Sequence, residues 1–178
     1  MLATHFKKTK PFNMKKLFFV ATIMIASFTV SAQDGAGIRG FKIGVGGNLA
    51  IPLSNLNSTS IGAGFDLLGQ YGIANNIAIT GDAGYTVLFG KDGFEDLSII
   101  PIRAGLRFFP APAFYLGGKV GVGILKTKGA DSRSATAYSF GAGYFLSPQV
   151  DVSAAYDGYS KSGSFGLVNI RLGYTFGN

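Results

Sequence analysis

The sequence predicts an all-β fold: an eight-stranded, antiparallel, up-and-down transmembrane β-barrel. Three observations predict it. From Phe41 to Phe176 the chain divides into eight segments, each roughly the length of a tilted membrane-crossing strand. Every segment alternates long apolar residues with small or polar ones at the side-chain period of two that a strand imposes. The connections also alternate, short after the even segments and longer and more polar after the first, third and fifth, as in barrels with turns at one end and loops at the other.

The closing segment, Ser164 to Phe176, carries the pattern most clearly. Gly166, Val168, Ile170, Leu172, Tyr174 and Phe176 share one face, and Asn169, Arg171, Gly173 and Thr175 share the other. The first strand, Phe41 to Leu49, sets Phe41, Ile43, Val45 and Leu49 against Lys42, Gly44, Gly46 and Asn48. The second runs from Ile61 to Tyr71, with Asp66 and Gln70 on its polar face, and Asn75 and Asn76 mark the tight turn after it. The third, Ile77 to Phe89, places Asp82 opposite its apolar set. The fourth, Ser98 to Phe109, carries Arg103 and Arg107, and Pro101 inside it predicts a local irregularity because proline has no amide hydrogen for a ladder. A turn through Pro110 and Pro112 leads to the fifth, Phe114 to Leu125, with Lys119 on its polar face. The sixth spans Ala135 to Leu146, and Pro148 turns the chain into the seventh, Val150 to Tyr159, which carries Asp151 and Asp157.

The chain has 178 residues and fits one domain. Its N-terminus precedes that domain. Lys15 and Lys16 follow Met14, an apolar run extends from Leu17 to Val30, and small residues close it at Ser31 and Ala32. That order of charged, apolar and small regions is a secretory signal peptide, with a run too short to span a bilayer comfortably. Residues 1–32 are therefore expected to be an N-terminal extension and a cleaved signal, and 33–178 the barrel. Translation from Met1 and from Met14 are both compatible with the sequence. The formal net charge of +7 depends on this region, because from Gln33 onward eleven basic residues face nine acidic ones. That near-balance gives no footprint for nucleic acid.

The alternation also fixes which face meets lipid. Glycines and a few charges of both signs occupy the polar face, which suits the crowded interior of a narrow barrel. The apolar face carries aliphatic and aromatic residues on all eight strands. In water it would be a band larger than a soluble monomer tolerates, whereas lipid requires it. Tyr71, Phe108, Tyr144, Tyr174 and Phe176 lie toward the short turns, and Tyr85, Phe89, Tyr138 and Tyr156 toward the loops, as two interfacial girdles.

Chemical sites are sparse. With no cysteine, disulfides and thiolate metal sites are impossible. The single histidine, His5, lies upstream of the signal, so the mature chain has no histidine base or metal ligand. The glycine-rich stretch at Gly44, Gly46 and Gly47 lacks a following helix pattern and reads as strand rather than a phosphate loop. Asp92, Glu95 and Asp96 lack EF-hand spacing and read as a solvated loop. No catalytic residue, cofactor or metal is expected. The lumen is expected to hold a charge network of Lys42, Asp66, Asp82, Arg103, Arg107, Lys119, Asp151, Asp157 and Arg171, because unpaired charge in a narrow interior is costly. Asp66 and Asp82 are expected at similar heights across the Asn75 turn, with Arg103 the candidate partner between them. Asp151 is expected to meet Arg171.

The export signal, the eight alternating strands and the closing segment from Arg171 to Phe176 resemble the small bacterial outer-membrane β-barrel families, nearest the OmpA-like and OmpX-like barrel domains. The resemblance implies the outer membrane as location, membrane lipid and the barrel-assembly machinery as partners, a monomer, and both termini in the periplasm. The closing segment is similar to the signal that machinery reads, although Gly177 and Asn178 follow where that signal usually ends. Loops containing Asn55, Asp92, Lys128 and Lys161 are then expected outside, and turns at Asn75, Pro112 and Pro148 inside. The expected function is a non-enzymatic integral barrel with a structural or surface-interaction role and an ion-paired, plugged lumen. The alternatives are a narrow passive pore for ions or small solutes, and a soluble periplasmic ligand-binding barrel.

Overall fold

The computed structural model describes residues 40–53, 56, 59–91, 93–127, 129, 131–161 and 163–176. The expected signal segment lies outside the described residues, as do the loop positions Asn55, Asp92 and Lys128. The strands are β1 (Gly40–Pro52), β2 (Thr59–Ala74), β3 (Ile77–Gly90), β4 (Leu97–Ala111), β5 (Phe114–Thr127), β6 (Arg133–Phe145), β7 (Val150–Ser160) and β8 (Ser164–Phe176). Neighbours in sequence pair antiparallel and β8 returns to β1, closing the barrel. Most strands outrun the alternating segments by one to three residues, because pairing continues past the point where membrane chemistry governs the side chains.

The register fixes the geometry. The hydrogen-bonded row that starts at Phe41 passes through Tyr71, Ile79, Leu106, Gly118, Phe140, Tyr156 and Val168, then meets β1 again at Ile51. One circuit climbs ten residues, so eight strands carry a shear of ten. The start of β1, the end of β8 and the turns near Asn75, Pro112 and Pro148 lie at one end, the turn end. The connections after β1, β3, β5 and β7 form the other, the loop end.

Two irregularities have local causes. The β3–β4 ladder is interrupted between Ala83–Ile102 and Thr86–Ile99, with the same register on both sides. Pro101 lies in that gap and offers no amide hydrogen. Pro110 lies in β4 rather than in the turn, beside a register shift between Phe108 and Ala111.

The outer wall is apolar: Phe65, Val120, Phe140 and Leu172 are each at least 58% exposed. The inner wall corrects the expectation of an interior lined by small residues and charges alone. A buried apolar layer near the loop end comprises Ala50, Leu88, Ile99, Ala135, Ala137, Tyr159 and Leu167, with Leu56, Leu97, Leu125 and Phe165 packed on it. A smaller cluster at the turn end consists of Ala78, Phe109 and Tyr115, backed by Phe145.

Candidate functional site in the barrel lumen

Between these two layers lie the charges. Arg103 and Asp82 face each other in the β3–β4 register. Arg103 Nε donates to Asp82 Oδ1 at 3.1 Å and Nη2 to Oδ2 at 2.7 Å. Such a two-pronged pair uses the planar fork of the guanidinium. The third nitrogen, Nη1, lies 3.0 Å from Asp157 Oδ1 on the far wall. The two atoms attract as charges but are not aligned for a hydrogen bond. Asp157 Oδ2 accepts from Asn169 Nδ2 at 3.1 Å.

Five further contacts share one construction: each side chain reaches over the strand beside it to the next one. Arg171 on β8 crosses β1, where Gly46 offers no side chain, and its Nε meets both oxygens of Asp66 on β2 at 2.9 and 2.8 Å. A Cβ on Gly46 would lie 2.5 Å from that Nε. Lys119 on β5 crosses β4 at Gly105, and its Nζ reaches Asp82 on β3 at 2.6 Å. Tyr115 on β5 lies over Gly143 of β6, and its hydroxyl donates to Asp151 Oδ2 on β7 at 2.6 Å. Thr86 on β3 passes Gly64 of β2 to donate to Asn48 Oδ1 on β1 at 3.2 Å. Arg107 on β4 passes Ala78 of β3 and donates from Nη1 to Gln70 Oε1 on β2 at 3.0 Å. In so tightly curved a sheet, inward side chains two strands apart converge whenever the strand between them is bare.

This geometry revises the expected pairing. Asp66 is held by Arg171 rather than Arg103, because the lane over Gly46 opens toward β8. Arg103 spans Asp82 and Asp157 instead. Arg171 Nη1 also donates to both Asp151 oxygens, at 3.3 Å to Oδ1 and 3.4 Å to Oδ2, and so links Asp66 with Asp151. Arg107 forms no ion pair among the described residues; its guanidinium carbon lies 4.1 Å from the Tyr115 ring centroid, a cation–π contact. Lys42 likewise forms no ion pair among the described residues and stays half-buried near the turn end. Gln70, Tyr115, Asn169, Asn48 and Thr86 escaped sequence reasoning as members of the network, although all five occupy the inward parity of their strands.

Four buried or half-buried cations, Arg103, Arg107, Lys119 and Arg171, thus accompany four carboxylates, Asp66, Asp82, Asp151 and Asp157. A cavity of about 50 Å³ lies among Asn48, Asp66, Asp82, Arg103, Lys119, Asp157 and Arg171. It has room for a few water molecules and enough polar partners to bind them.

A closed eight-stranded barrel with an apolar outside and a charged, layered inside defines the class: residues 20–176 match the family described as outer membrane protein beta-barrel domain, and the chain belongs to that family. A soluble periplasmic barrel does not fit it. Among solved structures, the fold is similar to Ail, the attachment invasion locus protein of Yersinia pestis, in its complex with the heparin analogue sucrose octasulfate. The two share 23% identity with a TM-score of 0.57, over 78% of this chain and 99% of that one. Neisserial surface protein A (NspA) shares 19% identity with a TM-score of 0.55, over 76% and 97% of the two chains. The N-terminal β-barrel domain of Pseudomonas aeruginosa OprF shares 10% at a TM-score of 0.55, also over 76% and 97%. No curated protein sequence matches this chain significantly.

Proposed function

We propose that the chain is a non-enzymatic integral outer-membrane protein with a closed lumen, whose loop end faces outside the cell for a surface-interaction or structural role, and whose termini lie in the periplasm. The observation that carries this reading is the order of layers along the lumen: an apolar layer at the loop end, a charge-balanced network, then an apolar cluster at the turn end. An ion on that path would lose hydration against Leu88, Ile99 and Leu167 and then have to displace a paired charge, and both steps oppose conduction. The absence of histidine from Gln33 onward, and carboxylates engaged by cations rather than left free to act as bases, support a non-enzymatic reading. The closed sheet leaves no strand edge for another chain, which supports a monomer. The segment from Arg171 to Phe176 supports recognition by the barrel-assembly machinery. The name of Ail, an attachment protein, supports a surface role for a barrel of this shape.

Planar-bilayer recording tests the closed lumen. The reconstituted protein is expected to give no resolvable conductance steps. Steady ohmic steps at low voltage would overturn the closed-lumen reading and favour the narrow passive pore.

A further inference from the structure

The apolar belt on the outer wall does not have equal height all round. At the turn end its border is level to within about two residues, once the climb of the rows is taken into account. At the loop end it is not. Thr136 on β6, Ser160 on β7 and Ser164 on β8 lie on one hydrogen-bonded row. That row continues through Val122, Ile102, Ala83 and Leu67 to Val45. A shear of ten over eight strands makes five strand steps equal to about six residues along a strand. The positions level with Thr136, Ser160 and Ser164, each five strands away, are therefore Ile51 on β1, Ile61 on β2 and Phe89 on β3. These three are 41%, 51% and 46% exposed. At one height, then, one wall presents hydroxyls and the opposite wall presents large apolar side chains.

Two of the three hydroxyls on that row also lack a partner: among the described residues those of Thr136 and Ser160 make no side-chain hydrogen bond, so in hydrocarbon they would be costly. Beside the tall wall, the Tyr85 and Ser98 hydroxyls satisfy each other at 3.0 Å and can remain in lipid. On the short wall, the rings of Tyr138 and Tyr156 lie over Gly158 and Gly166, just below the hydroxyl row. That is where tyrosine settles at a membrane interface.

We propose that the bilayer leaflet at the loop end is thinner beside β6–β8 than beside β1–β3, its hydrocarbon border sloping by about 8 Å across the barrel, given the rise and tilt of barrel strands. Lipid chains are the occupant of the tall wall because its upper residues continue the belt without a break: Ile51 follows Leu49, Ile61 follows Ala63 and Phe65, and Phe89 follows Val87, with no charge among them. A rigid tilt alone does not level the border, since it would submerge the turn end on one side while raising it on the other.

Single cysteines at Thr136, Ser160, Ile51 and Ile61, each carrying a nitroxide, test this in phosphatidylcholine vesicles. The readout is the ratio of collisions with oxygen to collisions with a water-soluble nickel chelate. Labels at Ile51 and Ile61 are expected at hydrocarbon depth, and those at Thr136 and Ser160 among the headgroups. Equal depth at all four positions overturns the proposal. If all are in water, the Ile51, Ile61 and Phe89 patch stands clear of the bilayer and is free for a protein partner. If all are in hydrocarbon, the hydroxyls are immersed. The variant with Thr136→Val, Ser160→Val and Ser164→Val, which levels the border, is expected to draw a label at Ser134 from the headgroups into hydrocarbon. An unmoved label also overturns the proposal.

Discussion

Arg103 is the cation with the most to lose. It is 8% exposed and spans Asp82 and Asp157 across the lumen. Asp82 retains its ion pair with Lys119 if the arginine is removed, whereas among the described residues Asp157 keeps one side-chain hydrogen bond, from the amide of Asn169. Arg103→Ala is therefore expected to lower the unfolding free energy in urea by about 3–5 kcal/mol, the usual cost of stranding a buried charge. Lys161→Ala, in an exposed connection, is expected to leave it within about 0.5 kcal/mol. Equal urea midpoints for the two variants would mean the lumen charges are solvated. The bare lanes are equally testable. Gly46→Val would thrust side-chain carbons into the Arg171 guanidinium and is expected to cost about 1–3 kcal/mol. The same substitution beside Arg171→Leu is expected to cost less, and a double-mutant cycle reads the difference.

At the level of strands, alternation was legible because lipid and lumen demand opposite chemistry from adjacent residues. Phe65 beside Asp66 and Ile102 beside Arg103 announce their faces without any knowledge of neighbours. The network's pairing was not legible in the same way. That Asp66 meets Arg171 depends on the shear and on Gly46 in the intervening strand, and neither is visible until the register is known. The apolar layers left a signal that alternation alone discards: Leu88, Ile99, Tyr159 and Leu167 are large residues on the inward parity near strand ends. The irregularity expected at Pro101 is an interruption of the ladder to β3 with no change of register. Pro101→Val restores an amide donor there and is expected to raise the urea midpoint, by about 0.5–1.5 kcal/mol in stability. A drop in the midpoint would mean the proline ring's packing beside the cavity outweighs the missing hydrogen bond.

For the whole molecule, orientation is the property with the widest consequences. Cysteines introduced at Asn75 and Lys161 sit at opposite ends of the barrel. An impermeant maleimide applied to intact cells is expected to label Lys161→Cys and spare Asn75→Cys. The reverse pattern would turn the barrel over. On gels, the folded barrel is expected to migrate differently before and after boiling, and identical migration would count against a stable closed sheet.

The reach of Arg171 over Gly46 also has a mechanical meaning. It braces the last strand to the second one, 105 residues away in sequence, across the seam where the sheet shuts. A chain drawn out from its C-terminus cannot give up β8 as a simple zipper, because the same tug must tear ties to β1, to Asp151 on β7 and to Asp66 on β2. Under load the seam is the reinforced joint of the cylinder, and rupture is expected to start with several strands yielding together.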